Sequence, residues 1–176
     1  MSEDCPYCRI INDSKTPRVY EDDKVIVFHS DKPVCAGHLV AMPKKHYPII
    51  ELVPDYTIAH LFSTVNKVSI AVFEGLNARG TNLLINNGIA AGQELAHFLI
   101  NIIPRQKDDG ISFHWNPRQM SEEEMSTIEL KYKEETAGIG SFEEEKIQPI
   151  ITEKEIPQLP VKTEENYLIR QLERIP

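Results

Sequence analysis

One long amphipathic segment set among short strand-like ones is the feature that most constrains this chain. Pro54-Asp55 opens it, and Ile58, Leu61, Phe62, Val65, Val72 and Leu76 follow a helical period up to Gly80. Before it, RVYEDDKVIVF (18–28) reads as two strands around a turn at Asp22-Asp23, and GHLVAMP (37–43) as a third. After it, TNLLIN (81–86) and LAHFLINII (95–103) read as a fourth and a fifth. Five short strands and one long helix predict an α+β fold with an antiparallel sheet. NNGIAAGQE, between the last two strands, is a Gly-containing connection whose backbone can approach a ligand closely.

The fifth strand carries an anomaly. Alternation places His97, Leu99, Asn101 and Ile103 on one face, and Phe98, Ile100 and Ile102 on the other. A strand with only a core to fill needs neither His97 nor Asn101.

Charge divides the chain after Pro104-Arg105. Residues 1–105 hold 10 Lys/Arg against 11 Asp/Glu, and residues 106–176 hold 9 against 16, within a net charge of −8. Neither half has the basic stripe of a nucleic-acid-binding protein. The sequence therefore divides into a domain at 1–105, an extension with a helix at 106–137, and an acidic, Pro-containing arm at 138–176. Ser121 and Glu124 match a capping box for the second helix, whose Met125, Ile128 and Tyr132 share a face. The arm reads either as a solvated tail or, since Tyr167, Leu168, Leu172 and Ile175 form a short amphipathic segment at its end, as a segment that docks to a protein partner or packs on the chain's own dimer. No apolar run reaches the roughly 20 residues of a membrane span. MSEDCPYCRI lacks a signal-peptide layout, so a cytoplasmic location is expected.

Cys5, Cys8 and Cys35 are too few for a disulfide framework in such a compartment. The C-P-Y-C run also resembles the glutaredoxin redox motif, but only four residues precede Cys5, leaving no room for the strand that chemistry needs. Alternatively, Cys-x-x-Cys is half of a zinc site, to be completed by two of His29, His38, His46, His60, His97 and His114. Spacing alone does not choose among them.

Taken together, RVYEDDKVIVF, GHLVAMPKKH (37–46), NLLINNG (82–88) and AGQELAHFLINIIPR (91–105) resemble the histidine-triad (HIT) superfamily in order and spacing. The resemblance implies a five-stranded antiparallel sheet with a long helix, and a homodimer whose two sheets join edge to edge. It also implies a nucleotide pocket in which a histidine attacks the α-phosphorus. The family's His-x-His-x-His falls on His97, Leu99 and Asn101, so the place of the nucleophile is taken by Leu99. Leucine has no lone pair to attack with, and the position of Cys35 gives no reason to choose it instead. Two further departures are Ser30, where the family has a ribose-binding aspartate and where Asp31 is displaced by one, and Glu94, where it has a phosphate-binding serine. His38, Asn86 and Gln93 match vestigial nucleotide-binding positions. Some bacterial-type members hold a structural zinc with ligands that correspond to Cys5, Cys8, His46 and His97.

Three functional readings follow from this resemblance. The first is a non-catalytic, zinc-stapled homodimeric scaffold acting through its C-terminal extension. The second is a sensor of AMP-like purine nucleotides, and the third is a nucleotide hydrolase or transferase with altered catalytic residues.

Overall fold

The computed structural model describes residues 4–140, 142 and 143, which belong to one compact unit at 1–145. The arm beyond residue 143, with Tyr167, Leu168, Leu172 and Ile175, lies outside the described residues.

Helix α1 (Pro6–Asn12) comes first, followed by strands β1 (Arg18–Glu21), β2 (Val25–His29) and β3 (Leu39–Pro43). Helix α2 (Asp55–Gly75), strands β4 (Gly80–Leu84) and β5 (Ile100–Arg105), and helix α3 (Glu122–Thr136) complete the order. The five strands form one antiparallel sheet in the order β1-β2-β3-β5-β4.

Alternation along the strands gives the sheet two apolar faces. Val25, Val27, Leu39, Ala41, Phe98, Ile100 and Ile102 pack with Leu61, Val65, Val68 and Val72 of α2. Ile26, Phe28, Val40 and Met42 point the other way, against Ile11, with Tyr7, Ile10 and Leu99 packed alongside. The sequence marked the first face through α2. Helix α1, which covers the second, was not foreseen: its seven residues are too short to stand out by period.

Several boundaries differ from the sequence reading, two of them for a clear local reason. Helix α2 ends before Gly80 because Asn77 adopts a left-handed conformation at φ 48°. The Ala78 N–H donates to Phe73 O at 3.0 Å and the Asn77 N–H to Glu74 O at 3.4 Å, a Schellman stop built on asparagine. Gly80 instead opens β4. Strand β5 begins at Ile100 rather than Leu95. Its register with β3 pairs Ala41 with Ile100, and continuing it sets Phe98 opposite Pro43, which has no N–H to donate. The Phe98 N–H turns to Tyr47 O at 2.6 Å.

Helix α3 starts with the full capping box at Ser121 and Glu124. It buries no residue, and Met125 and Tyr132 are exposed.

Asp22 ties the β1–β2 turn to α2. One of its oxygens accepts the Lys24 and Val25 N–H groups, each at 2.8 Å. The other meets His60 Nε2 at 2.7 Å and the Tyr20 hydroxyl at 2.9 Å. Burial raises the pKa of Asp22, but the bonds from Lys24, His60, Val25 and Tyr20 outweigh it and hold the carboxyl well below the usual carboxylate range. Such a group stabilises the fold above its unfolded pKa of about 3.9, and that contribution fades as pH falls toward the native value. Asp22→Ala is expected to cost about 1–3 kcal/mol at pH 7. In thermal unfolding, the gap between the variant and the parent protein should shrink steadily below about pH 4.

Candidate functional site

Helix α1 begins inside the C-P-Y-C run, with Cys5 as its N-cap, Pro6 at its first position and Cys8 one turn in. Both sulfurs thus face the same way and are buried. Opposite them stand His46, just past the end of β3, and His97, just before β5. His97 is 1% exposed.

The donor atoms of Cys5, Cys8, His46 and His97 all lie within 4.8 Å of one another. Cys5 Sγ is 3.5 Å from His97 Nδ1, Cys8 Sγ is 3.4 Å from His46 Nδ1, and Cys8 Sγ is 3.8 Å from His97 Nδ1. Metal bonds of about 2.3 Å to sulfur and about 2.0 Å to nitrogen, at tetrahedral angles, would separate the donors by roughly 3.5 Å.

The ring of His97 is also oriented for ligation. Its Nε2–H donates to the Pro43 carbonyl at 3.2 Å, which leaves the Nδ1 lone pair facing the sulfurs. Burial lowers its pKa, so the neutral ring is favoured. Two soft sulfurs and two imidazoles, held in this way, are positioned to bind a metal ion. Four protein donors fill a tetrahedron and leave no place for a substrate.

Beside this cluster, on the α1 side of the sheet, lies a cavity of about 280 Å³. Ser30, His38, Asn86, Gln93, Glu94, Leu99 and Asn101, all singled out in the sequence, line it together with His97. Ile103 also faces the cavity, whereas Phe98, Ile100 and Ile102 face α2, as the alternation predicted.

The polar groups of the cavity are largely bonded to one another. The Val34 N–H donates to His38 Nδ1 at 3.2 Å. That assigns the ring hydrogen to Nε2, which lies 3.0 Å from Asn101 Oδ1. Asn101 Nδ2 in turn donates to Leu84 O at 3.3 Å. His38 therefore has both ring nitrogens occupied, and burial pushes its pKa down despite the contact with Asn101. Gln93 is fixed by Gly88 N–H, Pro48 O and Leu95 O, and Asn86 Nδ2 donates to Gly92 O. Leu99 itself packs against the apolar cluster beneath α1.

Some wall residues escaped the sequence reading. Tyr7 lies between the two cysteines and meets His97 edge-on, with ring centroids 5.9 Å apart. Lys32 and Phe113 also line the cavity. Phe113 stacks on the Arg105 guanidinium, which Asp109 holds from both oxygens at 2.7 and 2.8 Å. The i, i+4 spacing of Arg105 and Asp109 is the local pattern behind this contact, and the sequence analysis made no use of it. Cys35 does not line the cavity; its thiol donates to Pro104 O at 3.3 Å.

The cluster makes a direct prediction. Purified protein should carry one divalent metal per chain by elemental analysis, and Cys8→Ser should reduce this at least tenfold. Chelator at elevated temperature should lower the unfolding midpoint of the parent protein but leave that of Cys8→Ser unchanged.

The comparisons agree with this architecture. The HIT domain family model matches residues 12–108. Adenylylsulfatase HINT3 of Arabidopsis thaliana is 38% identical over 110 residues, which are 62% of this chain and 56% of that protein. This chain therefore spans little more than half the length of that relative. The crystal structure of a HIT family member from Bacillus subtilis superimposes with a TM-score of 0.70 at 31% identity, covering 75% of this chain and 96% of that one. A Zn-bound histidine triad family protein from Mycobacterium smegmatis superimposes with a TM-score of 0.59 at 32% identity, covering 65% of this chain and 84% of that one. No described helix is long and apolar enough to cross a membrane. On the family match and the shared fold, the chain belongs to the HIT-domain family.

Proposed function

We propose that this chain is a non-catalytic HIT-domain protein, a cytoplasmic homodimer stapled by zinc that serves as an interaction or regulatory scaffold. The observation that carries the reading is the environment of Leu99. Leu99 stands in the nucleophile's place, and His38 and Asn101 in the same cavity wall are closed into a chain from Val34 N–H to Leu84 O. A nucleophile with an available lone pair and a base with an available nitrogen are both needed for nucleotidyl transfer by the family's route. Neither is offered here.

Zinc is the metal that suits two thiolates and two imidazoles in a closed tetrahedron. The Zn-bound relative supports the choice. The edge position of β4, with exposed Leu83, and the exposed Phe62, Ile70 and Phe73 of α2 offer apolar surface suited to a second copy. The C-terminal arm, with Tyr167, Leu168, Leu172 and Ile175, is proposed as the docking segment for a protein partner.

A second reading, ligand sensing without turnover, is favoured by the persistence of the cavity above Leu99. The third, an enzyme using altered residues, would need a nucleophile other than a wall histidine, since both ring nitrogens of His38 and of His97 are engaged.

Incubation with an adenosine phosphoramidate and with a dinucleoside polyphosphate tests the central point. The expected result is release no faster than in buffer containing the same metal. Turnover that disappears in His38→Ala would contradict the proposal. Light scattering should give a mass twice that of one chain, and Phe73→Glu should shift it toward one.

A further inference from the structure

The charge around the cavity carries information about what it admits. Asp31, Lys32 and Glu94 are the formally charged side chains in its wall, and together they leave it at −1. Lys32, the single cation, is already neutralised: its Nζ lies 2.5 Å from Glu94 Oε2, across 62 residues of sequence. The amide donors that would otherwise meet an anion are turned inward. Both polar atoms of Asn101 and of Gln93 are engaged, as are both ring nitrogens of His38.

The remaining surface suits a neutral ring compound. Tyr7 and Phe113 supply aromatic walls, and Val40, Leu84 and Leu99 supply aliphatic ones. The Ser30 hydroxyl accepts the Lys32 N–H at 3.2 Å and keeps its own hydrogen for a ligand oxygen.

We propose that Glu94, paired with Lys32, sets the charge class of the ligand: the cavity admits an uncharged nucleoside and rejects the corresponding monophosphate. The proposal rests on the reading of this cavity as a binding site without turnover. Glu94 acts as an internal anion, occupying Lys32 and adding a charge that a phosphate dianion must face at close range. Both side chains of the pair are more than two-thirds exposed, so the pair itself adds little stability. Its effect is on selectivity, and salt should weaken it.

Calorimetric titration of the full, metal-loaded chain with adenosine and with AMP at low ionic strength tests this. Adenosine is expected to bind at least tenfold more tightly than AMP, and added salt to narrow the gap. Glu94→Gln should tighten AMP at least fivefold and change adenosine less than twofold. Lys32→Gln should weaken AMP further. Equal or tighter binding of AMP by the parent protein overturns the proposal, as does a Glu94→Gln variant with unchanged AMP affinity. If neither probe binds the folded protein, the nucleoside assignment fails, while the absence of phosphoramidate turnover stands as a separate result.

Discussion

The cluster of Cys5, Cys8, His46 and His97 is the contact on which the site side of this molecule depends. It joins three segments far apart in sequence: α1, the loop leaving β3, and the entry to β5. A helix of seven residues has no stability of its own. Yet α1 covers Ile26, Phe28, Val40 and Met42, and it brings Tyr7 to the cavity wall. A metal held by these four donors would fix the helix, the sheet face and the cavity together. The thiolates and imidazoles would do this as a staple, because all four positions are taken by protein.

The same geometry gives three residues of one strand face three different surroundings, beginning with His97 in the four-donor cluster. One ring nitrogen of His97 is oriented by Pro43 O and the other faces the sulfurs. Two residues on, Leu99 joins the apolar packing under α1. Two further on, Asn101 links His38 to the backbone of β4. A histidine at 101 would have supplied a titrating ring, whereas the amide does not titrate and engages both its oxygen and its nitrogen. Along the strand, His97 is positioned for a metal, Leu99 packs and Asn101 hydrogen-bonds, one role at each of the family's three positions.

Much of this was legible in the sequence because it rests on period and spacing. The two-residue period separated Leu99 and Asn101 from Ile100 and Ile102, and the structure keeps them on opposite faces. The capping box at Ser121 and Glu124 formed as written. What the sequence hid depends on tertiary contact. Asn77 stops α2 by adopting a positive φ, which a glycine search at position 80 overlooks. Helix α1 is too short for a period, and its order comes from Cys5 and Cys8 meeting histidines 38 and 92 residues away. Lys32 and Glu94 carried no pairing signal, because only the folded chain brings them within 2.5 Å. Met125, Ile128 and Tyr132 fall along one side of α3 as their spacing implies, but among the described residues that side covers no core.

Amide hydrogen exchange, followed with and without a strong chelator, tests the central account most directly. Metal removal is expected to abolish protection in residues 6–12 and weaken it around 97–99, while the β2–β3 ladder and the buried face of α2 keep theirs. Protection of residues 6–12 that is unchanged by complete metal removal would contradict the account, since the staple would then be holding nothing.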